Sequence, residues 1–259
     1  MPKVRLIDVS KCIACRACQI ACKQWNSLEA IPTQQEGTYE NPPELSSNTW
    51  IKIEFKERPH EWLFRAHTCM HCTDAGCEQV CPTGAISHHG EIVYIDQNWC
   101  IGCGYCTQAC PFQIPHKDEI SGTVRKCTFC IDRITIGQQP ACAKTCPTGA
   151  IQFGERDNLL AVGEQRVQIL VTKYGYRRAC VYGEKELGGL HTLYVLTDEP
   201  SVFGLPDNPR LATSAVGNQW LSGVLTAGVI AILPLWLLFR RKNQNNHNED
   251  KSKAIGDKR

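Results

Sequence analysis

Cys100-Ile-Gly-Cys103-Gly-Tyr-Cys106-Thr-Gln-Ala-Cys110-Pro111 is the stretch of sequence that decides the fold. Its cysteines follow the spacing C-x2-C-x2-C-x3-C, and three further groups share this pattern, two of them with extra residues before the third cysteine. These groups are Cys12, Cys15, Cys18 and Cys22; Cys69, Cys72, Cys77 and Cys81; and Cys127, Cys130, Cys142 and Cys146. Of the 17 cysteines in 259 residues, only Cys180 lies outside the four groups.

The composition excludes several classes of protein. With 28 basic and 26 acidic residues, the chain shows no charge bias of the kind that nucleic-acid binding requires. A hydrophobic fraction of 42% excludes global disorder. The sequence has no Walker A motif, no Rossmann glycine run and no Ser/His/Asp arrangement, so we expect no catalytic residue in this chain.

Three kinds of site use clustered cysteines: disulfide frameworks, zinc sites and iron–sulfur clusters. Disulfide frameworks are typical of short secreted chains with a leader peptide, and residues 1–7 contain no apolar leader segment. Zinc needs one tetrahedron, usually from two C-x2-C pairs, and has no use for a third closely spaced cysteine. Three cysteines at three-residue intervals instead wrap a cubane, while the fourth points to another cluster. We therefore predict four [4Fe–4S] clusters with cysteine thiolates as ligands.

Because fourth cysteines are exchanged between clusters, the groups must form pairs. Residues 82–99 form a short linker between groups two and three, with an alternating strand pattern at Glu91–Asp96 and a turn at His88-His89-Gly90, as in a two-cluster ferredoxin. We therefore pair group two with group three, and group one with group four; pairing in chain order is the alternative. The predicted ligand sets are Cys12, Cys15, Cys18 with Cys146; Cys127, Cys130, Cys142 with Cys22; Cys69, Cys72, Cys77 with Cys110; and Cys100, Cys103, Cys106 with Cys81.

An internal repeat supports this organisation, because Cys81-Pro-Thr-Gly-Ala-Ile86 recurs unchanged as Cys146-Pro-Thr-Gly-Ala-Ile151. The glycine permits a tight turn, and the apolar pair after it can start a strand. We predict an α+β fold of two ferredoxin-like two-cluster modules with insertions and one C-terminal transmembrane helix. The predicted divisions are module A (1–22 and 127–151), an insertion (23–68), module B (69–126), a C-terminal packing region (152–216), a transmembrane helix (217–240) and a cytoplasmic basic tail (241–259).

Outside the cysteine groups the sequence gives local predictions. Residues 49–55 alternate like a half-buried strand within an insertion that we expect either to contact a partner or to decorate the surface. The stretch Leu159–Leu170 has helical spacing, and Thr192–Leu196 is typical of a strand. Both elements are expected to pack around the cluster region.

A few polar residues near the cysteines need an interpretation. We expect His67 and His71 to have surface or hydrogen-bonding roles, since cysteines already complete each ligand set. Arg125 and Lys126 either raise a cluster potential or form a solvated pair. Cys180 is interpreted as a small buried residue.

Residues 220–239 form a run of 20 uncharged, mostly apolar residues. At about 1.5 Å per residue, a helix of this length spans a hydrocarbon core of about 30 Å. Arg240, Arg241 and Lys242 follow the run, whereas Arg210 is the only basic residue in the twenty residues before it. The positive-inside rule then predicts a single-pass inner-membrane protein with a cytoplasmic C-terminus and the cluster region on the periplasmic side. Because we find no export signal, we expect a partner with its own signal to carry the folded subunit across.

Beyond the cysteines, the chain resembles the iron–sulfur (beta) subunit of membrane-bound respiratory formate dehydrogenases. The likeness lies in the opening motif Cys12–Asn26, in Phe153–Val167, in Gly188-Gly-Leu-His191 and in Phe203-Gly-Leu-Pro206. The four-group motif is shared with subunits of dimethyl sulfoxide, polysulfide, nitrate and tetrathionate reductases and of some hydrogenases. Some nitrate reductase relatives replace one ligand by Trp to hold a three-iron cluster, a variant not expected here because all sixteen positions are Cys.

This resemblance implies a non-catalytic electron-transfer subunit. It would receive single electrons from a molybdenum or tungsten pterin subunit, which oxidises formate. It would pass them to a membrane cytochrome b, which reduces quinone. The terminal helix of this chain would lie in membrane lipid. Apolar residues such as Ile13, Ile20, Ile101 and Ile131 are expected to bury the clusters. Service to another molybdopterin reductase or a membrane hydrogenase is the alternative within this class, and a membrane-anchored zinc scaffold is the alternative from another class.

Overall fold

The computed structural model describes residues 2–215, 220, 223–224, 226–230 and 232–240. The strands are β1 (Lys3–Asp8), β2 (Ile51–Arg58), β3 (Glu61–Thr68), β4 (Ile86–His89), β5 (Ile92–Ile95), β6 (His116–Lys117), β7 (Val124–Arg125), β8 (Ile151–Glu155), β9 (Cys180–Tyr182) and β10 (Thr192–Leu196). The α-helices up to residue 212 are α1 (Ala17–Trp25), α2 (Gly76–Gln79), α3 (Tyr105–Ala109), α4 (Ile131–Thr135), α5 (Ala141–Lys144) and α6 (Arg156–Tyr174). The residues up to Ala212 and those from Thr213 onward belong to two separate compact units.

The largest sheet of the first unit joins the two ends of the cysteine-rich region in the order β8-β1-β10-β9. Strand β1 runs parallel to β10, with Arg5 beside Thr192, and antiparallel to β8, with Arg5 beside Phe153. Strands β1 and β10 are therefore central and are buried along nearly their whole length. The strand pattern predicted at Thr192–Leu196 is confirmed, whereas β1 was not predicted.

One face of this sheet is covered by α6. Val4 and Leu6 from β1 pack with Leu193 and Val195 from β10, since alternate residues of a strand point to the same face. Leu159 and Leu170 of α6 complete this apolar layer. Arg166 Nε lies 3.1 Å from Asp8 Oδ2, so an ion pair also joins the helix to the end of β1. The predicted helix at Leu159–Leu170 is thus confirmed and extends over 19 residues.

The opposite face of the sheet is turned toward the cysteines. It carries Arg5 and Ile7 from β1 and Thr192 and Tyr194 from β10, all of them buried. Ile7 and Tyr194 belong to an apolar cluster that includes cysteines of all four groups. The sheet therefore separates a purely hydrophobic layer from the metal-binding side of the unit.

Three two-stranded hairpins complete the first unit: β2–β3, β4–β5 and β6–β7. The strand predicted at residues 49–55 is observed as β2, and the sequence interpretation missed its partner β3, which pairs with it in full register from Ile51–Thr68 to Arg58–Glu61. The turn predicted at His88-His89-Gly90 is wrong by two residues, because both histidines belong to β4 and pair with β5, and the turn lies at Gly90 and Glu91. The insertion is thus an ordered hairpin that packs against α1.

The second unit contains helical segments at residues 226–230 and 232–240. Among the described residues, no helix combines the length and the apolar character that a membrane crossing needs. The predicted transmembrane segment includes residues 217–219, 221–222, 225 and 231, which lie outside the described residues, as does the predicted tail 241–259.

The layer between α6 and the sheet gives a test of the fold. Leu159 is buried at 7% exposure, whereas Val162 on the same helix is 39% exposed. We expect Leu159→Ala to lower the free energy of unfolding by about 3 kcal/mol, because it leaves a cavity, and Val162→Ala to change it by less than about 0.5 kcal/mol. Thermal unfolding followed by circular dichroism measures both, and equal shifts would contradict this packing.

Candidate metal centres

Each cysteine group begins with the same backbone turn. The residue just before the second cysteine has a left-handed conformation in all four C-x2-C segments: φ is 54° at Ala14, 46° at His71, 64° at Gly102 and 56° at Phe129. Residues other than glycine adopt this region at a cost. Its repetition at one position therefore indicates a common requirement, the folding of the loop so that the first two thiols face the same space.

The third cysteine of each group occupies the second position of a short helix. Cys18 is the second residue of α1, Cys77 of α2, Cys106 of α3 and Cys142 of α5. In group four the extra residues before the third cysteine form α4. The additional chain is thus accommodated as a separate turn, and the position of the third thiol on its helix is unchanged.

In groups two, three and four the fourth cysteine lies beyond the helix and leads into the next element, whereas Cys22 of group one lies within α1. Cys110 directly follows α3, and Cys81 and Cys146 lie two residues beyond the ends of α2 and α5. The repeated hexapeptide then delivers Ile86 as the first residue of β4 and Ile151 as the first residue of β8. The prediction that this repeat starts a strand is confirmed.

The structure brings the sixteen thiols together as four sets, each with three members from one group and the fourth from another. Each of three sets lines one pocket. The sets are named after their first cysteine: the Cys12 set (Cys12, Cys15, Cys18, Cys146), the Cys127 set (Cys127, Cys130, Cys142, Cys22) and the Cys100 set (Cys100, Cys103, Cys106, Cys81). The remaining set is the Cys69 set (Cys69, Cys72, Cys77, Cys110). Burial and then the three neighbouring thiols of this set hold the pKa of Cys72 well above its usual value. Group one therefore meets group four and group two meets group three; the role of these thiols as ligands stays a prediction.

The four sets follow one another in a line. Burial is the main cause of the raised pKa of Cys18, and Cys142 of the Cys127 set adds to it. Burial likewise raises the pKa of Cys69, and Cys127 adds to it. Cys106 of the Cys100 set contributes in the same way to the pKa of Cys77, which burial and its neighbours raise to about 12. The order of neighbours is thus Cys12 set, Cys127 set, Cys69 set and Cys100 set.

The surroundings of the sulfur atoms fit an iron–sulfur cubane, which needs thiolates supported by N–H donors. Backbone N–H groups donate to Cys127 Sγ from Phe129 (3.3 Å), to Cys100 Sγ from Val124 (3.3 Å) and to Cys146 Sγ from Ile151 (3.4 Å). Further N–H donors on the sulfurs are the guanidinium of Arg5 on Cys142 at 3.4 Å and the amide of Asn26 on Cys22 at 3.6 Å. Among the described residues, no three His, Cys, Asp or Glu side chains are grouped closely enough to hold a single metal ion.

Several of these thiols are held in their neutral form by their environment. Burial and neighbouring thiols raise the pKa of Cys130 to about 12 and that of Cys106 to about 11. Iron binds the thiolate, so loading a site displaces protons from such thiols. Cys15 and Cys103 are exposed, whereas the inner sets have no exposed cysteine. The two ends of the line are therefore the ones open to a partner.

The structure corrects one expectation about the surroundings of the sites. Ile13, Ile20 and Ile101, which were expected to bury the clusters, are 61%, 57% and 67% exposed, and Ile131 is half-buried. Ile13 and Ile101 each directly follow a cysteine in sequence, and Ile20 lies in α1, but all three side chains point outward. In this chain the cubane sites are shielded instead by residues such as Ile7, Ile53, Ala66 and Val124.

The polar residues near the cysteines separate into different roles. His67 Nδ1 lies 2.9 Å from Glu54 Oε1, and His71 is fully buried, where its Nδ1 accepts from the N–H of Val93 at 3.2 Å. Arg125 is partly exposed and pairs with Asp118, whereas Lys126 is buried. Cys180, interpreted as buried, is only partly so.

Sequence reasoning missed Arg5, which touches two cysteine residues from different sets. Its guanidinium donates to Cys142 Sγ and, at 3.1 Å, to the carbonyl oxygen of Cys69. The only signal in the sequence was a basic residue among apolar neighbours in Val4-Arg-Leu-Ile7. That pattern alone does not indicate a position between metal sites.

Comparisons with known proteins define the class first. A family model described as a 4Fe-4S dicluster domain matches residues 60–156, and a second model with the same description matches residues 11–85. The chain is therefore an iron–sulfur protein of the dicluster ferredoxin-like class, and the predicted cluster type is confirmed.

Individual relatives indicate which kind of iron–sulfur protein this chain is. The chain is 45% identical over 239 residues to the nitrate-inducible formate dehydrogenase iron-sulfur subunit of Escherichia coli (strain K12), with 88% of this chain and 80% of the relative covered. It is 44% identical over 220 residues to the formate dehydrogenase iron-sulfur subunit of Haemophilus influenzae, with 81% of this chain and 70% of that relative covered. It is also 32% identical over 286 residues to the Hydrogenase-2 operon protein HybA of Escherichia coli O157:H7, with 94% and 86% covered. The chain belongs to the iron–sulfur subunits of formate dehydrogenases and is an electron-transfer subunit, as the resemblance implied.

Two glycines of the Cys100 group give a matched test of the loop geometry. A Cβ at Gly102 would lie 1.8 Å from the backbone oxygen of Gly122, whereas a Cβ at Gly104 would meet nothing within 4 Å; φ is positive at both. We expect Gly104→Ala to cost about 1 kcal/mol of stability and Gly102→Ala to cost about 3 kcal/mol or more. Only Gly102→Ala should lower the iron content, because it displaces the loop between Cys100 and Cys103. Thermal unfolding and iron analysis measure the two effects; iron loss in both variants would contradict the assignment.

Proposed function

We propose that this chain holds four [4Fe–4S] clusters, one in each thiol set, with all sixteen grouped cysteines as ligands. The observation that carries the proposal is the unbroken line of four sets, in which each set lies next to the following one. When bound, a cubane of this kind accepts and releases one electron at a time. The chain's own contribution is to fix the order of the sites, to exclude water from the inner two and to donate N–H groups to the sulfurs.

We propose that, within a formate dehydrogenase, the chain receives single electrons from a molybdenum or tungsten pterin subunit, which oxidises formate. It passes them to a membrane cytochrome b, which reduces quinone. The exposed cysteines and apolar side chains at the ends of the line support this proposal, because each end offers a surface for a partner. Ile13 and Cys15 are exposed at one end, and Ile101 and Cys103 at the other. The inner sets lack such a surface.

A second candidate function follows from the likeness to the Hydrogenase-2 operon protein HybA over 94% of this chain. In that case the same line of sites would serve a membrane hydrogenase. Purification of the native complex distinguishes the two candidates. Dye reduction that depends on formate supports the first function, and dye reduction that depends on hydrogen supports the second.

We also propose that residues 217–240 cross the inner membrane once, with the cluster unit on the periplasmic side and the basic tail in the cytoplasm. The support is in the sequence: a run of 20 uncharged residues followed by Arg240, Arg241 and Lys242. Such a helix would pack in lipid and against the cytochrome subunit. A partner with its own export signal would carry the folded subunit across.

The relay is tested by removing one ligand from the second site. Cys22→Ala should lower the iron held by this subunit by up to about a quarter, because one of its four cubanes loses a ligand. Electron flow from formate to quinone should then fall at least tenfold. Reduction of a small dye directly at the pterin subunit should persist, since that reaction does not need this chain's inner sites.

Cys180 provides the matched control for this experiment. It is the one cysteine outside the four groups, and Cys180→Ala should leave both iron content and quinone reduction unchanged. Full quinone reduction by a Cys22→Ala complex that has lost its iron would overturn the relay. Full iron content in that variant would overturn the assignment of Cys22 as a ligand.

The membrane topology has its own test. In spheroplasts, added protease should digest residues 1–215 of an assembled subunit, while a tag at the C-terminus should remain protected until the membrane is opened. Immunoblots against both ends measure this. A cluster unit that is sheltered in intact spheroplasts would overturn the proposed orientation.

A further inference from the structure

Arg5 lies between the two inner thiol sets and is only 1% exposed. It projects from β1, the central strand, on the face of the sheet that is turned toward the cysteines. Its guanidinium donates to Cys142 Sγ at 3.4 Å, to the Cys69 carbonyl at 3.1 Å and to Thr192 Oγ1 at 2.9 Å. It thus contacts one cysteine residue of the Cys127 set and one of the Cys69 set.

Lys126 is a second buried cation at the same junction, with 4% of its surface exposed. Its Nζ donates to the carbonyl oxygens of Val93 and Cys127. Burial raises the pKa of Cys69, Cys77 and Cys110, and the charge of Lys126 opposes that rise at all three. Lys126 therefore lies at the junction of the Cys127 and Cys69 sets, as Arg5 does.

Neither cation has an acidic partner. Within the part of the chain that the structure describes, no carboxylate forms an ion pair with Arg5 or Lys126. Other buried or half-buried arginines of this protein are paired, Arg65 with Glu54 and Arg166 with Asp8. A buried charge without a counter-charge is strongly destabilising. The negative charge that compensates Arg5 and Lys126 must therefore come from the thiolate sets themselves.

Aromatic rings close the space around Arg5. The Arg5 guanidinium lies 5.1 Å from the centre of the Phe129 ring, and this ring stacks on His71 at 4.7 Å. Phe129 and His71 occupy the same position in their C-x2-C segments, so the two modules meet through equivalent side chains. Because the rings and the sheet exclude water, the charge of Arg5 is weakly screened and acts strongly on its neighbours.

We infer that Arg5 and Lys126 are positioning residues that raise the reduction potentials of the two inner cluster sites, those of the Cys127 and Cys69 sets. The inference rests on the proposed function, since it requires clusters in these sets. A cubane with four thiolate ligands gains negative charge when it accepts an electron. A fixed positive charge nearby stabilises the reduced form more than the oxidised form and so raises the potential.

The test is a redox titration of the purified complex, followed by electron paramagnetic resonance of the reduced clusters. Arg5→Gln should lower the potential of one inner cluster, and Arg5→Lys, which keeps the charge, should restore most of it. Lys126→Gln should likewise lower the potential of an inner cluster. Arg178→Gln is the control, because its side chain is 60% exposed and water screens the charge that is lost. No cluster potential should change in that variant.

The outcomes separate the inference from the function on which it rests. A wild-type complex without four reducible clusters would overturn the proposed function. A wild-type complex with four clusters whose potentials are unchanged in Arg5→Gln and Lys126→Gln would overturn only the inference. If Arg5→Gln fails to load iron, the potentials measured in Lys126→Gln and Arg5→Lys decide whether the inference holds. Unchanged potentials in Lys126→Gln, or a potential in Arg5→Lys that falls despite the retained charge, would count against it.

Discussion

The convergence of four thiols on one buried space is the constraint on which the rest of this structure depends. Thiols that are crowded and buried resist ionisation, as the raised pKa values of Cys106 and Cys130 show, and they repel one another once ionised. Such a set is stable only when a cationic core and N–H donors compensate the charge. The left-handed turn in each C-x2-C segment and the short helix after it meet this demand locally. The exchange of the fourth cysteine between groups completes each set with a thiol that is distant in sequence.

This exchange explains the architecture of the first unit. Cys22 lies with Cys127 and its neighbours, and Cys146 lies with Cys12 and its neighbours, so groups at opposite ends of the region are held together twice. The sheet then places β1 between β8 and β10. Burial of the inner sets follows from this arrangement, because the sheet covers one side and the β2–β3 hairpin packs on α1. The outer sets keep exposed cysteines.

Cysteine spacing allowed the two-cluster ferredoxin-like class and the grouping of the cysteines to be predicted, because ligand geometry restricts the chain very tightly. Elements without a ligand were harder to predict. Strand β1 is six residues long, and other elements pack on both of its faces. It therefore has no alternating pattern of apolar and polar residues to recognise. The exposure of Ile13 and Ile101 was mispredicted because hydrophobicity does not report the direction in which a left-handed turn sends a side chain. The position of Arg5 depends on pairing between strands that are far apart in sequence, and no local signal contains that information.

The parallel pairing of β1 with β10 also determines the order in which the molecule can be completed. Strand β1 precedes the other described elements in the sequence, but its neighbour β10 ends at Leu196, and Cys146 must be synthesised before the Cys12 set has its fourth thiol. Cys12, Cys15 and Cys18 are therefore enclosed only after all the other grouped cysteines have been synthesised. The set that begins first in the sequence is thus the last to be complete.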